Sequence, residues 1–314
     1  MQLLNNIQKL NVDGNIIALS KLQNNLNLSE IETNIRLRKD IVQNLKNKVD
    51  TLMVYQKNNE GISYIAFEPN HSDIGAITTV CGNGLKAIVS VIPDEDIILL
   101  TKAGNFPVKK NKSKTFIQCG KFVTGKKIEE LFLYISKKEL KKSIGKLCRD
   151  FTFYSPIVAI GCNVENDNFV GEPHIVIGTF ERMDSKKLIM FAEKCGLFIR
   201  DSGFMKIESN ITFFSFKNLA FGKCQLQACT FERHLGNDPA IAITGSCGTG
   251  SMAASNVFIN FFLGKKPKKI ISEVSFPNGT LRVKINKGNV KCVGDARVSE
   301  GTRASTQRRN YFFL

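Results

Sequence analysis

Cys247-Gly248-Thr249-Gly250, followed by Ser251-Met252-Ala253-Ala254-Ser255-Asn256-Val257-Phe258-Ile259, is the stretch on which the reading of this chain turns. Glycines beside a cysteine, then small and apolar residues, place a thiol at the turn that enters a helix. The first N–H groups of a helix have no partner within it, and the dipole there favours negative charge. A thiolate or a bound carboxylate is therefore stabilised at such a turn. A second copy, Cys81-Gly82-Asn83-Gly84, is also followed by an apolar run, residues 85–92. Periodicity alone does not separate helix from strand in that run.

The two cysteines stand 166 residues apart (247 − 81). Downstream of the first lie Gly104-Asn105-Phe106-Pro107-Val108-Lys109 and Phe116-Ile117-Gln118-Cys119-Gly120. Downstream of the second lie Gly279-Thr280-Leu281-Arg282-Val283-Lys284 and Val290-Lys291-Cys292-Val293-Gly294. The offsets, 175 (279 − 104) and 174 (294 − 120), describe two halves on one plan. A period this long means domain duplication, with pseudo-twofold domains facing each other.

Between these landmarks, residues 10–19 read as a turn feeding a strand. A helix starts at Ser29, capped by Ser29 with Glu32 three residues on, and runs to Leu45. Residues 51–55, 62–67, 96–102, 114–120, 157–160, 170–177, 210–214 and 223–231 read as strands. A helix over 185–195 is expected to end at Gly196. Residues 126–147 mix both patterns and stay unassigned, with a domain boundary placed near 123–130. The expected division is 1–125, 126–301 and a tail over 302–314.

The chain has 314 residues, 43% of them hydrophobic and 23% charged, which suits a globular protein with substantial cores. The apolar run at 257–263 is far short of the ~20 residues a membrane-spanning helix needs. No secretory signal is read in Met1-Gln2-Leu3-Leu4-Asn5-Asn6, so a cytoplasmic location and no membrane association are expected. Nine widely spaced cysteines with no CxxC pair argue against a disulfide framework. His71, His174 and His234 do not cluster with the cysteines, so no metal site is expected. The net charge of +16 comes from lysine pairs and short runs without interleaved aromatics, which read as solvated faces. No specific nucleic-acid partner is expected.

Two like acid/base groups on opposite walls of a cleft suit the inversion of a carbon stereocentre. One thiolate takes the α-proton of an amino acid while the opposite thiol returns one to the other face. Charge moves onto the α-carboxylate as the carbanion forms, and two glycine-rich helix N-termini can hold it without metal or organic cofactor. The same dipoles are expected to lower both thiol pKa values toward neutrality.

Asp13-Gly14-Asn15, Gly171-Glu172-Pro173-His174, Phe231-Glu232-Arg233, both Cys-Gly-x-Gly turns and Gly294-Asp295-Ala296-Arg297-Val298-Ser299-Glu300-Gly301 together resemble diaminopimelate epimerase. The resemblance runs in order over nearly the whole chain. It implies an α+β fold of two pseudo-symmetric domains, each a curved, mostly antiparallel sheet around a central helix, with the active site in the cleft between them. It also implies that 85–92 is helical. On function it implies a cofactor-independent isomerase that converts LL-diaminopimelate to the meso form, with a small amino acid as its partner and a homodimer left open.

Residue by residue, the resemblance makes Cys81 and Cys247 the two bases, with Glu232 accepting from the substrate ammonium and His174 assisting Cys81. Gly82, Asn83, Gly248 and Thr249 would donate to the reacting carboxylate, and Asn15 would contact substrate. Arg233 and Asn210 would hold the distal carboxylate. Ser72 falls at the family's substrate asparagine when counted back from Cys81, with Asn70 as the alternative. Glu172 replaces a neutral amide of the family's motif, and the segment between Glu232 and Cys247 is longer than the family's. These departures keep open a second reading, a racemase for another amino acid such as histidine, lysine or ornithine, with Glu172 pairing a basic side chain.

Overall fold

A computed structural model describes residues 4, 7–12, 15–23, 27–43, 45, 48–69, 76–78, 81–92, 96–101, 104–111, 114–162, 169–179, 181–220, 222–232, 242–263, 269–286 and 289–295. The sites expected at Asn70, Ser72 and Arg233 lie outside them, as do the tail and the side chain of Glu172.

The first repeat runs through β1 (Gln8–Val12), β2 (Asn15–Lys21), α1 (Leu28–Thr33), α2 (Ile35–Gln43), β3 (Thr51–Lys57), β4 (Ile62–Phe67), β5 (Ile77–Thr78), α3 (Gly82–Val91), β6 (Asp96–Thr101), β7 (Gly104–Asn111) and β8 (Lys114–Val123). Helices α4 (Lys126–Phe132) and α5 (Lys137–Leu147) follow. The second repeat is β9 (Ile157–Cys162), β10 (Phe169–Thr179), α6 (Ser185–Asp201), β11 (Asn210–Ala220), β12 (Lys223–Phe231), β13 (Ile243–Thr244), α7 (Gly248–Val257), β14 (Lys269–Phe276), β15 (Gly279–Asn286) and β16 (Asn289–Asp295). A π-helical turn, Phe258–Phe262, extends α7.

Strand pairing makes the duplication explicit. β2 and β3 pair in parallel, as do β10 and β11; β4 and β6 do the same, as do β12 and β14. Every other pairing is antiparallel. A parallel pair needs a crossover, and each crossover here carries helix: α1–α2, α6, α3 and α7. The pairing path β1-β2-β3-β4-β6-β7-β8 is a half-barrel, open at β1. It continues through β16-β15-β14-β12-β11-β10-β9, and β9 pairs back onto β8, so the second curl closes.

Each curl wraps one buried helix. α3 packs on β1, β2, β3 and β8, while α7 touches every strand of the second curl from β8 to β16 apart from the short β13. Both helices feed one apolar core that includes Leu85, Ile88, Val89, Met252, Ala253 and Val257. The outer faces are covered separately. Ile31, Ile41 and Val42 pack over Leu52, Val54 and Phe67, and Leu188, Phe191 and Ile199 pack over Ile211, Phe213 and Phe231. The α+β class, the curled sheets and the helical nature of 85–92 thus hold.

Several local expectations change. The helix expected from Ser29 to Leu45 is two helices: Asn27, not Ser29, caps α1, and Asn34 ends it while its side chain accepts from the Leu37 N–H. α6 runs through Gly196 to Asp201, because this glycine serves packing: a Cβ there would lie 2.4 Å from Phe231 Cγ. Residues 126–147 are two helices, the second opened by a reciprocal capping box between Ser136 and Glu139. Cys148 and Cys195, both fully buried, form one disulfide that ties the end of α5 to α6 in a chain whose cysteine pattern argues against a disulfide framework. Among the described residues no helix is long and apolar enough to cross a membrane.

Candidate active site

The site forms where α3 and α7 begin. Cys81 and Cys247 are the N-caps, both extended in backbone, and each sulfur accepts from the N–H three residues on, Gly84 and Gly250, at 3.3 Å. The helices meet glycine to glycine: a Cβ on Gly82 would lie 3.4 Å from Gly248 Cα, and the converse distance is also 3.4 Å. The fit is tighter further into each helix. A Cβ on Gly250 would lie 2.5 Å from Thr230 Oγ1, and one on Gly84 would lie 2.5 Å from Met53 Sδ. The N–H groups of Gly82, Asn83, Gly248 and Thr249 belong to first turns, where the helical ladder supplies no acceptor.

Ser246 joins the halves. Asn15 Nδ2 donates to its carbonyl at 3.0 Å and Asn83 Nδ2 donates to its hydroxyl at 2.9 Å. Both amides are buried, and Asn15 Oδ1 and Asn83 Oδ1 find no hydrogen-bond donor. A buried unmatched acceptor costs about 1–3 kcal/mol, and both of these belong to amides bonded to Ser246.

Glu232 follows β12, its N–H donating to Ala242 O at 2.7 Å, and its negative charge reaches both thiols. Glu68 reaches Cys81 as well. Glu68 follows β4 as Glu232 follows β12: Phe67 pairs Ile77 and Phe231 pairs Ile243, with the cysteine four residues beyond each isoleucine. The repeated pattern Phe-Glu, then Ile-Thr, then Cys-Gly-x-Gly identifies Glu68 in the sequence once the halves are aligned at these strands.

Burial pushes Cys81 up to about 11 and Cys247 up to about 12. The nearby carboxylates add to the rise, and the helix N–H and threonine bonds oppose it without prevailing. The expectation of thiols depressed toward neutrality is therefore overturned: in this closed seam, desolvation of a thiolate outweighs two helix ends.

His174, expected beside Cys81, has hydrogen bonds that lead to Cys247. Its Nε2 bonds Thr249 Oγ1 at 3.0 Å, and Thr249 Oγ1 lies 3.4 Å from Cys247 Sγ. Its Nδ1 bonds Thr212 Oγ1 at 2.9 Å, and Thr212 bonds Thr230 at 2.9 Å. Cys81 instead has Thr51, at 3.7 Å. Asn210 is buried and faces His174 across the parallel β10–β11 ladder. Thr51, Thr212, Thr230 and Ser246 carry no motif, and sequence reading passed over them. Among the described residues no group of three or more His, Cys, Asp or Glu is placed to hold a metal ion.

No protein-family model and no curated protein matches the chain. Solved structures do share its fold. A phenazine biosynthesis protein of the PhzF family from Bacillus anthracis superposes with a TM-score of 0.61 at 14% identity, covering 94% of this chain and 98% of that one. A hydroxyproline epimerase from Agrobacterium vitis with bound trans-4-hydroxy-L-proline gives 0.56 at 10% identity, over 93% and 90%. A probable proline racemase from Agrobacterium radiobacter with bound carbonate gives 0.54 at 12% identity, over 97% and 94%.

Proposed function

We propose that this protein is a cytoplasmic isomerase that inverts the α-carbon of an amino acid by two-base proton transfer between Cys81 and Cys247. The observation that carries this reading is the meeting of two thiol-capped helix N-termini at Gly82 and Gly248. The hydroxyproline epimerase and probable proline racemase among the fold neighbours support it.

In one direction a thiolate takes the Cα proton and becomes a thiol. The electron pair moves into the substrate carboxylate, held by the first-turn N–H groups of both helices. The opposite thiol then protonates the other face and becomes the thiolate. Product leaves with the two sulfurs exchanged in role, and atoms and charge balance. The ammonium group is received by Glu232 and by the open acceptors of Asn15 and Asn83. It also offsets the carboxylate charge that disfavours each thiolate, so substrate entry itself favours ionisation.

LL-diaminopimelate is the leading substrate, epimerised to the meso form, with Asn210 and Arg233 toward the distal carboxylate as the sequence resemblance implies. One observation favours a basic amino acid instead: Glu68 adds a second negative charge on the Cys81 side. Incubation in D₂O with LL-diaminopimelate, histidine, lysine and ornithine, without added pyridoxal phosphate or metal, tests both readings. The expected result is deuterium at Cα with inversion for one of them. Absence of Cα exchange with every amino acid offered would overturn the proposal.

A further inference from the structure

Five buried or half-buried side chains close a ring around Cys247. The links are Cys247–Thr249, Thr249–His174, His174–Thr212, Thr212–Thr230, and Thr230 back to the Cys247 sulfur. Thr212, Thr230 and His174 are fully buried, so the far side of the ring is sealed from solvent. Gly250 makes room for it: Thr230 Oγ1, Thr212 Oγ1 and Cys247 Cβ all crowd the position where a Cβ would stand.

Counting protons shows what the ring can do. A thiol, three hydroxyls and a neutral imidazole hold five mobile protons for five links, one for each. A thiolate, three hydroxyls and an imidazolium hold five as well. In the first state the thiol donates to Thr249, Thr249 to Nε2, Nδ1–H to Thr212, Thr212 to Thr230, and Thr230 to sulfur. In the second, the S–H bond breaks as an O–H bond forms on Thr249, whose own proton passes to Nε2. Thr249 and Thr230 then both donate to the thiolate, and both ring nitrogens donate to threonines. Every hydrogen bond survives and no net charge is made.

We propose that His174 holds the Cys247 proton through this threonine ring, so that Cys247 becomes a nucleophilic, proton-accepting thiolate by internal transfer rather than by loss of a proton to solvent. His174 is thereby a positioning and proton-holding residue for Cys247, touching neither sulfur nor substrate in this role. The inference rests on the reading of Cys247 as an acid/base group, but it concerns ionisation and is measurable without turnover.

The surroundings suit a private exchange. Strand β9 and helix α7, packed on β10, carry no charged side chain. β11 carries Lys217, seven residues beyond the Asn210 that faces His174. On β10 itself Glu172 stands two residues before His174. Among the described residues, Glu232, Cys81 and, on the Cys81 side, Glu68 are the further titratable groups of the site, and Glu232 opposes a lone thiolate far more than a thiolate–imidazolium pair, whose net charge is zero.

The test is the rate at which methyl methanethiosulfonate, small and uncharged, modifies Cys247 in the full-length protein between pH 6 and 8, read by peptide mass. Internal transfer releases no proton, so the wild-type rate is expected to stay flat across this range. Cys81, outside the ring, is expected to rise about tenfold per unit as an ordinary ionisation does. His174→Gln, with folding checked by circular dichroism, is expected to convert Cys247 to that rising profile and to slow it at least tenfold at pH 6. A wild-type Cys247 rate that itself climbs tenfold per unit overturns the proposal whatever the variant does. An unchanged flat profile in His174→Gln overturns it too. A protein that passes this test but exchanges no amino acid α-proton would retain the ring and lose the proposed reaction.

Discussion

Gly82 and Gly248, the first residues of the two buried helices, face each other so closely that a Cβ on either would lie 3.4 Å from the other's Cα. This contact fixes the separation of the two thiol-bearing turns, since each glycine follows its cysteine directly. A methyl on either glycine would sit at ordinary contact distance, so Gly82→Ala and Gly248→Ala are expected to change stability by less than about 1 kcal/mol while filling the seam between the two thiols and lowering activity. Thermal unfolding together with steady-state kinetics would check this. Unchanged kcat in both variants would show that the contact does not set the reacting geometry.

Charge reaching the thiols gives a second, separable prediction. Glu232 raises both Cys81 and Cys247, whereas Glu68 acts on Cys81. Glu232→Gln is expected to increase the alkylation rate of Cys81 at pH 8 and that of Cys247 less, because the Cys247–His174 pair carries no net charge, and Glu68→Gln to increase that of Cys81 while leaving Cys247 near its starting value. Peptide-resolved mass spectrometry reads each sulfur separately. Equal responses of Cys247 to the two variants would contradict the placement of Glu68.

Alkaline stability follows from the same burial. The two thiols rise from 9.0 to about 11 and about 12 in the folded protein. Below pH 9 both folded and unfolded chains keep the protons, and stability is insensitive to them. From pH 9 up to 11–12 the unfolded chain binds fewer protons than the folded one, so stability falls, by at most about 1.4 kcal/mol per pH unit for each thiol. Chemical denaturation at pH 8, 9.5 and 11 should show this decline. It should be shallower in Cys81→Ser/Cys247→Ser, where Cys229 and Cys224, also raised by burial, still contribute.

Gly196 offers a prediction that helix propensity alone would get backwards. Alanine is the better helix former by about 1 kcal/mol, yet its methyl would collide with the Phe231 ring. Gly196→Ala is expected to lower stability by about 1–3 kcal/mol in urea unfolding. A stabilised variant would mean that α6 shifts freely on the sheet.

The repeat was legible because chemistry marked it twice: Cys-Gly-x-Gly opens both interior helices, with the first glycines in contact across the seam and Gly250 leaving no room for a Cβ beside Thr230. The strands flanking it were legible from β-branched runs. What failed did so for tertiary reasons. Gly196 looks like a helix stop in sequence and is a packing notch in space. Lys86 looks like one more solvated lysine, yet it is fully buried in α3 at the position where α7 carries Met252. Helix dipoles argued for acidic thiols, but the depth of burial that reverses this is not written in local sequence. His174 was found, and its partners were not, because threonines on β11, β12 and α7 form a ring only after three separate segments pack together.

The central claim is that two sulfurs work from opposite faces of one α-carbon. Its most direct measurement is the position of deuterium at early conversion, starting from a single enantiomer of the accepted substrate in D₂O. Two bases predict product carrying solvent deuterium at Cα while recovered substrate keeps its proton, and loss of inversion in both Cys81→Ser and Cys247→Ser. Equal deuterium in product and recovered substrate, or full inversion by either single variant, would contradict the account.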